Sequence, residues 1–466
     1  MSESSKKKKS KFHFPSGQLM LFIIIVLVAV LTYIIPAGKY EYVTDPNSDY
    51  TVVDGNSFRF IENSPVNPFQ MFVAIQKGFI DGAMVVFLIL FGYFWVYSIT
   101  QTGAFNALIG TQMKSKAKDS KLFIPIIFII FALAGSTYGE MDTVYGLLPI
   151  FIALSIALGY DAMVGLCMTG MAVVIGFASA TTNPFTIGIA QAIGGLPIFS
   201  GLGFRWIIFF AFTSVGIFIV MRYAKKVKAD PTKSTVYGLD FSMFELDLEG
   251  DIEFTPKRKL IMCGMVATIA LIVTGSLQWG WYINEMSAVF IISGIITSLI
   301  DRKTPEQIVE NMIKALGEMI GPMLVVGLSR AILVIMQEGM IIDSVIYGLS
   351  NMMQGLSKYG TAGMMLVAQN IVNFFIPSGS GQATAIMPIM IPLADLTGVS
   401  RQIAVLAYQF GDGFSNLLWP SGPIAILCSI AKIPLGRWYK FFIPVFAILF
   451  AMQLGFIFIA VAIGFH

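Results

Sequence analysis

The chain has 466 residues, of which 56% are apolar and only 12% charged, with a formal net charge of +3. Soluble proteins carry about 25% charged residues, so this composition excludes a water-soluble globular domain. The basic residues lie in clusters between apolar runs, which makes them markers of membrane orientation rather than a nucleic-acid surface. Its three cysteines, Cys167, Cys263 and Cys428, all lie inside apolar segments without metal-ligand spacing and read as small core residues.

Lys6 to Lys9 and Lys11 precede an apolar run over 19–35 that ends in Pro36. The run is long for a secretory signal and no clear small-residue cleavage site follows, so it is expected to be a first transmembrane helix. Residues 40–66 are polar, with Asp45-Pro46-Asn47 and Asp54-Gly55-Asn56 as turn signals between aromatic and β-branched residues, which predicts an outer-face hairpin. About 20 apolar residues cross the hydrocarbon layer. Comparable runs follow over 83–101, 162–180, 204–222, 259–278, 286–300, 319–337, 401–418 and 440–464. Ahead of two of them, 69–82 and 304–317 mix charge with apolar residues at helical spacing, which suits helices lying in the interface.

Two further apolar runs, 122–158 and 361–397, are interrupted by short polar, glycine-rich segments. These are Gly135-Ser136-Thr137-Tyr138-Gly139-Glu140-Met141-Asp142 and Pro377-Ser378-Gly379-Ser380-Gly381-Gln382. Each is followed by a second break, Thr181-Thr182-Asn183-Pro184 in the first half and Asp412-Gly413-Phe414-Ser415-Asn416 in the second. Gly139 and Gly381 are 242 positions apart, Pro149 and Pro388 239, Gly103 and Gly339 236, and Asn183 and Asn416 233. A duplicated pair of interrupted hydrophobic segments is the sequence signature of a transporter with its substrate between repeats.

The basic segments Lys6–Lys11, Lys114–Lys121, Arg222–Lys228 with Lys257–Lys259, Arg302-Lys303 and Lys432–Lys440 share one side only if both interrupted runs are re-entrant hairpins. The expected fold is therefore an all-α polytopic membrane protein of about nine crossings plus two hairpins, with a cytoplasmic N-terminus. The first inverted repeat is expected over 1–222, with hairpin 122–158 and broken helix 162–193. A cytoplasmic linker over 223–258 and a linking helix over 259–285 lead to the second repeat over 286–466, with hairpin 361–397 and broken helix 401–431.

Irregular backbone at membrane depth survives only where it is buried or lines a cavity. Ser136, Thr137, Ser378 and Ser380 add hydroxyls to the hairpin tips, Gly379 permits close backbone approach, and helices starting after each tip aim N–H groups inward. Gln382 belongs to the second tip. Thr181, Thr182 and Asn183, with Ser415 and Asn416 in the matched break, both donate and accept hydrogen bonds. Carbonyls freed by the breaks are candidate ligands for Na+ near Asn183 or Asn416. Glu140, Asp142 and Asp412 lie in or beside the breaks, and a carboxylate at the bilayer centre costs about 2.5–3.5 kcal/mol. They are expected to meet a polar cavity and bind a substrate cation or the coupling ion, Na+ or H+. The bland alternatives are helix-packing kinks for the Gly and Ser residues and pairing with Arg330 for the acids.

The only histidines, His13 and His466, are at the termini, which excludes a buried Ser-His dyad or His-based zinc site. An intramembrane aspartyl protease built on Asp161 and Asp412 is the remote enzyme reading. It is disfavoured because Gln409-Phe410-Gly411-Asp412 lacks the earlier glycine of the GxGD element. No nucleotide-binding loop is present.

Three stretches carry a specific resemblance: Asn373-Phe374-Phe375-Ile376-Pro377-Ser378-Gly379-Ser380-Gly381-Gln382, then Gln409–Asn416, and Asn183-Pro184-Phe185-Thr186 with Ile189-Ala190-Gln191. Together, with a likeness running over nearly the whole chain, they resemble the YfcC/DcuC-type anaerobic carriers. That resemblance implies an inner-membrane homodimer with a scaffold and a moving transport part, as in elevator-type inverted-repeat carriers. It further implies a small charged substrate, either a C4-dicarboxylate or a basic amino acid of arginine or ornithine type. Basic amino-acid exchangers usually follow the hairpin glycine with Met and clustered acids, whereas Gly139 is followed here by Glu140-Met141-Asp142-Thr143. The expected activity is exchange of a basic amino acid for a related one, with Na+- or H+-coupled dicarboxylate transport as the alternative.

Overall fold

The computed structural model describes residues 15–44, 51–54, 57–105, 107, 122–139, 141–244, 253–353 and 355–466. The chain begins with α1 (Gly17–Ile34). Two short antiparallel pairs follow, β1 (Gly38–Lys39) with β4 (Arg59–Phe60) and β2 (Tyr42–Thr44) with β3 (Thr51–Val53). They form the hairpin expected between residues 40 and 66. Then come α2 (Pro68–Asp81) and α3 (Ala83–Gln101).

The first interrupted run folds as α4 (Phe123–Thr137) and α5 (Thr143–Ala157) around a tip at 138–142. The next run is α6 (Ala162–Ala178), with a π-helical segment Cys167–Met171, a break at 179–183 and a short continuation α7 (Pro184–Ile193). The half closes with α8 (Leu202–Ala229).

A described stretch of the linker, 230–244, folds back on the helices, and Phe244 is buried. Next, α9 (Pro256–Trp279) packs on α10 (Ile283–Ile300). The second half repeats the order with α11 (Pro305–Glu318), α12 (Ile320–Glu338), an added helix α13 (Ile342–Asn351), and the pair α14 (Lys358–Phe375) and α15 (Gly379–Thr397). A helix broken at 416–422 follows as α16 (Arg401–Ser415) and α17 (Pro423–Ile430), and α18 (Leu435–Ala462) ends the chain. Among the described residues, seven helices are long and apolar enough to cross a membrane. The chain is a helical, multi-pass membrane protein.

Local sequence explains the matched starts of α2 and α11. Asn67 and Thr304 are N-caps, Pro68 and Pro305 occupy the first turn, and Gln70 and Gln307 return the hydrogen bond to complete a capping box in each. Replacing Asn67 with Ala is expected to cost about 1 kcal/mol, read as a lower thermal midpoint of the purified protein, whereas Thr304→Ser should leave it unchanged.

Helix contacts fall into matched pairs. In one group α3 packs on α10 and α11, while α12 packs on α1 and α2. In the other α4 packs on α6 and α8, α14 packs on α16 and α18, and α6 crosses α16. The second members of the hairpins reach across the halves, α5 to α17 and α15 to α7. The result is a scaffold-like layer of long helices beside a layer that holds both tips and both breaks. β1 rests on α13, where the Tyr40 N–H donates to Asp343 Oδ2 at 2.9 Å and Phe58 stacks on Tyr347 at 3.9 Å, and β3 packs on α15.

Candidate functional site

Both tips and both breaks open onto one cavity of about 620 Å³, between the two helix layers. That volume falls within the range of small-ligand pockets, about 300–1,000 Å³. Thr137, Gly139 and Asp142 come from the first tip, Ser378, Gly379 and Ser380 from the second, and Thr182 and Asn416 from the two breaks. The facing wall is supplied by Val326, Ser329 and Arg330 of α12 and by Trp281 and Tyr282 ahead of α10.

The first tip turns at Gly139, whose φ of +77° belongs to the left-handed region that favours glycine. A Cβ there would also stand 2.4 Å from Asn183 Oδ1. Tip and break are laced together. The Thr181 N–H donates to Ser136 O at 2.9 Å, Ser136 Oγ and Thr181 Oγ1 share a hydrogen bond of 3.1 Å, and Thr182 Oγ1 donates to Thr137 O at 3.0 Å. Asp142 occupies the N-cap position of α5 but its side chain makes no capping hydrogen bond, and it stands on the cavity wall.

At the second tip Ser378 caps α15, its Oγ accepting from the Gly381 N–H at 3.3 Å. Asn373 ties this hairpin to its break, its Nδ2 donating to Asp412 O at 2.9 Å, Ser415 Oγ at 2.7 Å and Asn416 Oδ1 at 3.0 Å. Ser421 Oγ adds a bond to Phe374 O at 2.6 Å. The two halves meet where Gln409 Nε2 donates to Phe177 O, and within the second half Tyr408 OH donates to Gly379 O, both at 2.6 Å.

Several expected contact residues stand behind this wall instead of on it. Ser136, Thr181, Asn183, Gln382, Asp412 and Ser415 are fully buried and none lines the cavity. For most of them the reason is internal hydrogen bonding. Asn183 Oδ1 accepts the Phe185 N–H at 2.9 Å, Gln382 Nε2 donates to Gln369 Oε1 at 2.7 Å, and Ser415 Oγ donates to Gly411 O. Glu140 lies outside the described residues.

Arg330 was weighed as the partner of an intramembrane acid in or beside the breaks; its ion pair is instead with Asp81, at 3.6 Å. Asp142 and Arg330 nevertheless both lie close enough to act on the hydroxyl of Tyr145, which is itself on the cavity wall. Among the described residues the cavity thus holds one acidic and one basic side chain, two sets of hydroxyls and the first residues of α15.

Asp161 and Asp412 do not form a protease-like pair. Asp161 caps the start of α6 and binds Tyr223 OH at 2.7 Å and Ser234 Oγ at 2.6 Å. Asp412 lies by the other end of that helix, where the neighbouring Gly413 meets Ala178. At 1.5 Å rise per residue the two acids are about 25 Å apart.

Sequence reading missed Asn373 as a clamp and missed Tyr138, Trp281, Tyr282, Ser329 and Ser421 on the wall. Asn373 carried a signal, an amide inside an apolar run four residues before a Pro-Ser-Gly tip. The aromatic pair Trp281-Tyr282 carried none, since aromatic residues at the end of an apolar run usually mark the membrane interface.

Several known proteins are similar to this chain. The chain is 28% identical to the putative basic amino acid antiporter YfcC of Escherichia coli strain K12, over 99% of both chains. It is 30% identical to an uncharacterized protein of Haemophilus influenzae, covering 95% of this chain and 96% of that one. A solved structure with similarity is that of the Alcanivorax borkumensis YdaH transporter, at 16% identity and a TM-score of 0.41 over 97% of this chain and 99% of that one. The model of the C4-dicarboxylate anaerobic carrier family, DcuC, matches residues 14–462, and the chain therefore belongs to that family of membrane transporters.

Proposed function

We propose that this carrier exchanges a basic amino acid of arginine or ornithine type for a related one. The observation that carries the reading is the charge of the cavity wall. Among its described lining residues the ionised groups are Asp142 and Arg330, one of each sign. A basic amino acid presents a carboxylate for Arg330 and the tip hydroxyls, and a side-chain cation for Asp142. A C4-dicarboxylate, the substrate in the family's description, asks for two cationic partners. Arg330 is the one Lys, Arg or His among the described lining residues, and Asp81 already shares it. The description of the Escherichia coli relative as a putative basic amino acid antiporter points the same way.

In this reading α4–α8 and α14–α18 carry both tips as a unit past the scaffold layer in an elevator motion, and the tips are re-entrant hairpins of two inverted repeats, over 1–222 and 286–466. In the same reading the basic segments favour a cytoplasmic N-terminus, and the carrier works as an inner-membrane homodimer. The test is counterflow in proteoliposomes preloaded with arginine, ornithine, succinate or fumarate, with and without Na+. Accumulation of labelled arginine against internal ornithine is the expected result. Accumulation with the dicarboxylates alone overturns the amino-acid assignment in favour of a cation-coupled dicarboxylate carrier.

A further inference from the structure

Asp412, near the C-terminal end of α16, is 0% exposed and neither of its carboxylate oxygens has a hydrogen-bond partner. Among the described residues no ion pair reaches it. Thr186 Oγ1, Asn183 Nδ2, Asn373 Oδ1 and Gln409 Oε1 are also buried without partners in the surrounding elements. An ionised carboxylate held this way costs several kcal/mol, and the penalty is removed only by a counter-ion or by a proton.

The neighbours supply no counter-ion. The elements packed on α16 are α6, α7, α14, α15 and α18, with α8 joining through Phe212 against Phe410 and Phe414. Tyr408, one turn earlier, lies close enough to feel the charge of Asp412. Lys358 and Asp395 lie at the far ends of α14 and α15, roughly 22–24 Å along those helices. Arg437 of α18 donates to Thr235 O at 3.1 Å, Lys440 is exposed, and Tyr439 OH donates to Leu418 O. Arg205 binds Gln402 Oε1 at 3.1 Å, ten residues before Asp412 and so about 15 Å along α16. Asp161 is at the far end of α6, and the thiols of Cys167 and Cys428 are neutral core groups.

The second tip packs close to the acid. A methyl group built on Gly379 would stand 2.6 Å from Thr186 Cγ2 and 3.4 Å from Asp412 Oδ2. A proton on the carboxyl needs only one acceptor, and unpartnered oxygens are present in the surrounding elements. The side-chain oxygens of Asn183 and Asn416, the positions nearest which Na+ was expected, already accept from the Phe185 N–H and from Asn373 Nδ2.

We propose that Asp412 is a proton-binding site of the transport cycle, set one layer behind the substrate cavity and separated from it by Gly379. This deepens the transporter reading and rests on it. Gly379 is both cavity wall and the first residue of α15. An ionised Asp412 is attracted to that helix N-terminus, and a protonated one is not. Protonation by cavity water, Asp412 COO⁻ becoming COOH, therefore sets how firmly the second tip sits on α16, with the proton released once the tip has moved.

The test is infrared titration of the full chain in lipid, in K+ buffer and without substrate. One carboxylic-acid carbonyl band is expected to appear and vanish with pH, to be lost in Asp412→Asn, to persist at a shifted position in Asp412→Glu, and to be untouched in Asp142→Asn. A band that survives Asp412→Asn overturns the proposal. So does a band in the unsubstituted protein that disappears when Na+ replaces K+, because the site then holds Na+. Should the Asn variant elute as aggregate, Asp412→Glu and the K+/Na+ comparison decide. No substrate enters the measurement, so failed arginine counterflow and a failed titration are separate outcomes.

Discussion

Asp142→Asn is expected to reduce arginine counterflow about 30- to 3,000-fold while leaving the protein folded. Removing one member of a desolvated charge pair costs about 2–5 kcal/mol, and each 1.4 kcal/mol is tenfold in affinity. Because Asp142 makes no capping bond to α5, the loss falls on the ligand and not on the helix start. Asp142→Glu keeps the charge and should recover part of the activity. Arg330→Gln is the complementary change, weakening the carboxylate end of any substrate. The sign of the Asp142→Asn effect also separates the substrate classes. With a dicarboxylate, deleting a negative charge from the wall relieves repulsion, so transport that holds or rises in Asp142→Asn refutes the amino-acid reading.

Gly176→Ala should destabilise the protein by more than about 3 kcal/mol, at or above the upper end of ordinary overpacking costs. A Cβ at Gly176 would stand 1.9 Å from Ala132 O, and the facing Gly135 has Val173 O at 2.2 Å from its own added Cβ. Backbone, not a flexible side chain, occupies the space, so α4 must move off α6 and take the first tip with it. Gly411 repeats the device 235 positions later, its added Cβ falling 2.3 Å from Gln369 Cβ and 2.9 Å from Asn370 N. The control is the same substitution at Gly264, in α9, where an added Cβ meets nothing within 4 Å. There Gly→Ala should be neutral or stabilising by up to about 1 kcal/mol. Thermal unfolding of the three variants checks the ordering, and an undisturbed midpoint in Gly176→Ala contradicts the close α4–α6 approach.

Much of the fold was legible because bilayer solvent leaves few choices. The tip at 138–142 lies inside the interruption read at 135–142, the tip at 376–378 overlaps the one read at 377–382, and the break at 179–183 overlaps the one read at 181–184; the second break falls at 416–422, past the 412–416 read from the sequence, because Asp412–Ser415 complete the last turn of α16. Glycine, proline and hydroxyl residues within apolar runs have few other uses at that depth. The helices α2 and α11 were legible over 69–82 and 304–317 from charge mixed with apolar residues at helical spacing.

The site was legible in its parts but not in its layering. Sequence offset pairs Asn183 with Asn416, yet Asn416 reaches the cavity and Asn183 is sealed behind Gly139. Ser136 and Ser378 both sit in tips, but one is consumed in lacing the tip to Thr181 while the other lines the cavity. Hydroxyl and amide groups look alike in a sequence whether they face a ligand or a carbonyl, because both uses need the same donors and acceptors.

The sequence by itself determined a helical membrane protein with two halves of like order, polar tips and breaks, and a family. Composition and local backbone chemistry act within a few residues, so they can be read along the chain. Tertiary structure alone decided that Arg330 joins Asp142 at one cavity, that Asn373 clamps the second break, and that Asp412 is shut behind the tip. Those facts depend on which helices cross, and crossings are set by close backbone contacts between residues far apart in the chain.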